Sequence, residues 1–156
     1  GRFVELPAET AGPFFARERL GRGLARLDWN GDGRDEFAVS HLDDPAALLS
    51  NATPPVGRSL CVRLRATRTS RDAIGATVVV EVGEKRLVGH LTAGDGYQAS
   101  NERKLVFGLG DAERADSVVV RWPSGDVSTF RDLAAGREWL MIEGRSRPLR
   151  LAEKSP

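Results

Sequence analysis

Hydrophobic and polar positions alternate in short runs along this chain, and over most of it the period is two rather than 3.6. Such runs occupy 59–67, 76–82, 85–92, 104–109, 117–122, 126–130 and 137–143. In the first, Leu60, Val62 and Leu64 alternate with Cys61, Arg63 and Arg65. That placement puts Cys61 on the more polar face of a strand, or under a neighbour that shields it. Thr77 to Val82 is rich in β-branched residues and bounded by Gly75 and Gly83. Gly83-Glu84 fits a two-residue type II′ turn, which predicts a hairpin with Lys85 to Leu91. Val118 to Trp122 runs into Pro123-Ser124-Gly125-Asp126, where Pro fixes φ and Gly supplies positive φ, so Val127 to Phe130 returns as a second hairpin. No long amphipathic helix is evident, although Pro13 to Leu20 has room for one helical turn. Short strands at this spacing predict an all-β fold: an antiparallel β-sandwich or barrel.

One segment breaks the alternation. Asp28-Trp29-Asn30-Gly31-Asp32-Gly33-Arg34-Asp35-Glu36 places oxygen side chains at every second position, then a glycine, then more carboxylates. Calcium takes six to eight oxygen ligands, and a curled loop can converge Asp28, Asn30 and Asp32 on one point. Gly33 permits the sharp turn at positive φ. Three converging acidic or amide groups without a cation would repel or go unsatisfied, so the pattern predicts a metal, calcium before magnesium. An EF-hand needs a Glu at loop position twelve and flanking helices. Position twelve here is Val39, and Phe37 to Leu42 reads as a strand. Glu36 at position nine is then the closing ligand, with the carbonyl of Arg34 at position seven. The expected metal set is Asp28, Asn30, Asp32, Arg34 and Glu36, with a structural rather than catalytic ion. An Asp/Gly-rich turn that is merely solvated is the alternative.

This variant resembles the calcium loop of FG-GAP or VCBS repeats, which form blades of β-propellers. Glu36 departs from that pattern by standing where the repeats usually carry Asp. The resemblance implies that residues 1–55 are a blade-like segment. Asn51-Ala52-Thr53-Pro54-Pro55-Val56-Gly57 cannot continue a central strand and marks a boundary. Beyond it come Ser70-Arg71-Asp72-Ala73-Ile74-Gly75-Ala76, Ala93-Gly94-Asp95-Gly96-Tyr97-Gln98-Ala99-Ser100, Phe107-Gly108-Leu109-Gly110 and Val120-Arg121-Trp122-Pro123-Ser124-Gly125. In this order they resemble the ASPIC/UnbV domain, which usually follows FG-GAP/VCBS repeats. Cartilage acidic proteins and large bacterial secreted or surface proteins share that arrangement. The resemblance implies a β domain over 56–146, a tail over 147–156, and a longer secreted protein of which this chain is the C-terminal part. It also implies an extracellular, periplasmic or cell-surface location and a non-catalytic role in binding or adhesion, with an unspecified protein or carbohydrate partner.

Composition narrows the picture. The 156 residues suit one domain with an appendage. They are 40% hydrophobic and 29% charged with a net charge of +1, so nothing argues for nucleic acid. No segment is long enough to span a membrane, and none has the form of a signal peptide. The single cysteine, Cys61, excludes an intramolecular disulfide. His41 and His90 are the only histidines, and neither has metal-ligand spacing or a nucleophile motif beside it. Ser124 lies in a turn without a Gly-x-Ser-x-Gly elbow. A hydrolase is therefore the least favoured reading, and no enzyme activity is expected. A carbohydrate-binding sandwich is the nearer alternative and calls for exposed aromatics. Tyr97, on a glycine-flanked loop, is the best candidate, whereas Trp122 and Trp139 read as packing. Gly75, Gly94, Gly96, Gly108 and Gly110 read as turn or bulge positions, Arg71 and Asp72 as a pair pinning a loop, and Asn51-Ala52-Thr53 as a weak glycosylation sequon.

Overall fold

The computed structural model describes residues 2–151. Eleven strands are present among them: β1 Gly21–Leu27, β2 Glu36–His41, β3 Ala47–Leu49, β4 Arg58–Arg65, β5 Thr77–Val82, β6 Lys85–His90, β7 Leu105–Gly110, β8 Arg114–Arg121, β9 Val127–Ala134, β10 Arg137–Ile142 and β11 Leu149–Arg150. Helical structure amounts to single turns at Ala8–Ala11 and Pro13–Ala16.

The strands form three sheets: β1-β2-β3, β11-β10-β4-β7 and β6-β5-β8-β9. The two four-stranded sheets face each other as an open sandwich, and neither closes into a barrel, which removes that half of the expectation. Their inner faces meet in one core. Leu60, Val62, Leu64, Phe107, Leu109 and Met141 oppose Val78, Val80, Val118, Val120, Phe130 and Leu133. Each of these positions alternates with an outward one, so burial of the apolar set fixes the register: a slip of one residue would turn it into solvent.

Both predicted hairpins form. Val82 and Lys85 flank the β5–β6 turn. Gly83 takes φ 55°, with Glu84 outside the positive-φ set, the sign pattern of a type II′ turn. In the β8–β9 turn, Gly125 N–H donates to the Trp122 carbonyl at 3.0 Å and Trp122 N–H to the Asp126 carbonyl at 2.9 Å. Of the other glycines expected in turns, Gly75, Gly94 and Gly110 take positive φ and Gly96 and Gly108 do not.

Pairing is antiparallel everywhere except between β4 and β10, which run parallel with Leu60 opposite Arg137 and Arg65 opposite Ile142. Residues assigned to a tail contribute a strand, because Leu149 and Arg150 pair with Leu140 and Trp139. No helix among the described residues is long and apolar enough to cross a membrane.

Candidate functional site

The acidic loop joins β1 to β2, and the strand expected after it, from Phe37, is β2. Those strands pair so that Leu27 lies opposite Glu36, which brings the two ends of the loop together. Asp28 and Glu36 sit at this neck and are 1% and 0% exposed. Asp28 organises the curl: its Oδ1 accepts the Gly31 N–H at 2.7 Å and its Oδ2 the Gly33 N–H at 2.9 Å. Gly33 has φ 81°, and a Cβ there would run into Ser59 Oγ of β4. Glu36 Oε2 accepts the Trp29 N–H at 3.1 Å. Glu36 Oε1 is buried with no hydrogen-bond partner.

The outer half of the loop is closed by different contacts. Asn30 Oδ1 accepts the Asp32 N–H, and Asp32 Oδ1 the Arg34 N–H. Asp32 Oδ2 receives Asn30 Nδ2 at 2.9 Å and Arg34 Nε at 3.0 Å. The hydrogen bond from Arg34 is the main reason the Asp32 carboxyl sits below its usual 3.8. Arg34, assigned through its carbonyl, thus also acts through its guanidinium, which reaches the Thr53 carbonyl as well. Of the five expected ligands, the structure gathers Asp28 and Glu36 at the neck, and Arg34 and Asn30 engage Asp32. No three His, Cys, Asp or Glu side chains among the described residues form a group that could hold a metal by themselves. A calcium loop draws equally on amide and carbonyl oxygens. The residue types present are ones such an ion takes, and the orphaned Glu36 oxygen is the one donor here left without a partner, which is costly for a buried polar atom.

The partners that hold the loop in place were not read from the sequence. Lys104 Nζ lies 2.6 Å from Asp28 Oδ2 and 3.5 Å from Glu102 Oε2, and its side chain is 2% exposed. Glu102 Oε2 also accepts the Asp28 N–H at 2.9 Å. Arg63, on the outer face of β4, binds both Glu102 and Glu138. Burial alone would raise the Glu102 carboxyl, but the Asp28 N–H, Arg63 and Lys104 outweigh it and hold it below 4.5. Burial likewise opposes the Lys104 charge, and Asp28 and Glu102 overrule it. Lys104 and Arg63 thus link Asp28, Glu102 and Glu138, and the Arg34 guanidinium adds its charge on the side of Asp28 and Glu36.

The loop therefore covers the outer face of β4. Cys61 lies beneath it, shielded rather than exposed, and burial pushes its thiol up to about 11. The Asn101–Glu102 segment seals the edge of β1: Arg26 N–H donates to Asn101 Oδ1 at 2.8 Å, and Glu102 N–H to the Arg26 carbonyl at 2.9 Å.

Other candidates resolve locally. His41 Nδ1 bonds the Pro45 carbonyl and His90 Nδ1 the Thr77 hydroxyl. Ser124 donates to Glu143 rather than to a histidine. Asp72 pairs with Arg103, not with Arg71. Asn51 donates to the Asp35 carbonyl and accepts from Thr53, which ties its amide into the loop's base. Trp122 is buried, with Nε1 bonded to Ser128 Oγ, and Trp139 Nε1 bonds the Ala134 carbonyl. Tyr97 is 59% exposed, with the Arg22 guanidinium 5.1 Å from its ring centre. One of the three aromatics considered for a sugar platform is thus exposed.

The sandwich and its loops are matched by comparison with known proteins. A family described as "ASPIC and UnbV" matches residues 66–148, more than half of the chain. Cartilage acidic protein 1 of Homo sapiens is 32% identical over 142 residues, covering 86% of this chain and 21% of that protein. The chain spans about a fifth of the length of this curated relative. With the match running from just after β4 to just before β11, the chain belongs to the ASPIC and UnbV family.

Proposed function

We propose that this chain is a non-catalytic, calcium-stabilised interaction module, working outside the cytoplasm as part of a larger repeat protein. One observation carries the calcium reading. Glu36 Oε1 is fully buried without a partner, in the neck of a loop whose sequence supplies oxygen donors at Asp28, Asn30, Asp32 and Glu36 and the Arg34 carbonyl. A bound calcium would satisfy that oxygen.

The blade reading is supported by the three antiparallel strands β1-β2-β3, with the loop between the first two. Propeller blades have four strands, so this sheet has one fewer. The extracytoplasmic reading rests on the likeness to cartilage acidic protein 1. The non-catalytic reading is supported by the local hydrogen bonds that occupy both histidines and Ser124.

The test is calorimetric titration of calcium into chelator-treated protein, with the melting temperature followed in parallel. Binding heat and a higher melting temperature are expected, and Asp32→Ala should weaken binding at least about tenfold. No heat and no thermal shift at millimolar calcium would sink the reading.

A further inference from the structure

We infer that Lys104 is a tethered counter-cation for the acidic loop, holding it folded without metal and competing electrostatically with a divalent ion for the same carboxylates. The inference rests on the calcium reading above and adds how that site is tuned.

The geometry is specific. Lys104 leads into β7 and sits 76 residues from Asp28 in sequence. Its ammonium is nevertheless 2.6 Å from Asp28 Oδ2, in a pocket where neither side chain is more than 2% exposed. Asp28 is the residue whose two oxygens gather the Gly31 and Gly33 N–H groups and so shape the loop. The second, independent observation is Glu36 Oε1 at the same neck, buried and unpartnered. Asp28 has thus received a buried ion-pair partner from the fold, whereas Glu36 Oε1 has no hydrogen-bond partner. Lys104 also bridges to Glu102, which grips the Asp28 N–H and Arg63. The ammonium therefore sits where the loop, β1 and the sandwich meet.

Two consequences follow from charge alone. Without metal, Lys104 offsets the repulsion that would otherwise open the neck, so the metal-free chain keeps its loop. With metal, a fixed positive charge beside a ligand carboxylate repels the incoming ion, because like charges at this range interact strongly in a low-dielectric site. The native site is accordingly weak, and removing the ammonium should strengthen it while making the loop depend on calcium.

The experiment uses the full chain as wild type, Lys104→Met and Lys104→Arg, titrated with calcium by calorimetry and melted in chelator and at about 10 mM calcium, above the weakest extracellular range. Lys104→Met should bind at least about tenfold more tightly than wild type. It should also melt lower in chelator and gain more from calcium. Lys104→Arg, which keeps the charge, should follow wild type. Equal or weaker binding by Lys104→Met overturns the inference. So does failure of Lys104→Met to fold even in calcium, since the ion would then not replace the ammonium. If wild type shows no binding and Lys104→Met binds, the inference stands and the calcium reading of the native chain falls. If neither binds, both fall.

Discussion

Glu102 accepts the main-chain N–H of Asp28 at 2.9 Å across 74 positions of sequence. With the Lys104–Asp28 pair and the hydrogen bonds between Arg26 and the Asn101–Glu102 segment, this contact ties the three-stranded sheet to the sandwich. The same carboxylate holds Arg63 and stands 3.5 Å from Lys104. Glu102→Gln keeps the shape but removes the charge from one side of a half-buried network. It should destabilise the protein by about 1–3 kcal/mol, because Arg63 and Lys104 each lose one of their two carboxylate partners. Chemical denaturation measures the loss. Hydrogen exchange at the Asp28 amide should accelerate more than exchange in β5 or β8, and uniform acceleration would show that Glu102 serves the whole fold instead.

Glu143 is a second carboxylate with a structural task. It accepts the Ser124 hydroxyl and the Thr67 and Arg68 N–H groups, joining the β8–β9 turn to the segment after β4. The Ser124 hydroxyl is the main cause of its lowered pKa, and burial works against it. A carboxyl with a folded value below its unfolded one stabilises the native state fully above the unfolded value, near 4.5, and loses that contribution as pH falls through the folded value. Melting temperature should therefore drop on acidification below about pH 4.5. Glu143→Gln should be less stable at neutral pH and show a shallower drop.

Cys61 should be inert while the protein is folded. Its thiol is covered by the acidic loop and pushed up to about 11, and the thiolate is the reactive form. An aromatic disulfide reagent at pH 8 should label it only after denaturant is added. Glu102→Gln, if it loosens the loop, should raise the labelling rate in native buffer. Rapid labelling of the native wild type would contradict the packing described for the loop.

Met141 is fully buried near the end of β10, opposite Leu64 of β4. Met141→Ala should cost about 2–5 kcal/mol through lost apolar contact and the cavity left behind. For a chain of this size that is a fall in melting temperature on the order of 10 °C. A fall of only a degree or two would mean that the sandwich collapses around the gap.

The strands of the sandwich were legible because one face of each had to be apolar. Leu60, Val62 and Leu64, or Val78 and Val80, state their orientation by alternation alone. The hairpins were legible because Gly83 and Pro123-Ser124-Gly125 restrict the backbone locally. β1 was not, since Gly21 to Leu27 mixes glycine and arginine with few apolar residues and is ordered by pairing with β2 and by the Asn101–Glu102 segment. The acidic loop was legible as a pattern of oxygens. Its cationic partner was not: Asn101-Glu102-Arg103-Lys104 has the composition of a solvated turn, and only docking on the loop buries Lys104. The outer face of β4 shows the same limit. Alternation put Cys61 and Arg63 on the polar face and left open whether a neighbour shields Cys61, because no local signal announces a third layer.

The parallel pairing of β4 with β10 has a bearing on how the chain acquires its shape. β4 has β7 on one side, but its other edge waits for residues 137–142. During synthesis most of the sandwich precedes the strand that completes this sheet. Until then β4 presents unpaired main-chain groups, a template for pairing with another molecule. Contacts this distant in sequence also slow folding. The acidic loop and Glu102 lie over that same strand and are made before β10, so the early chain carries its own cover for one face of β4 while the edge is still open.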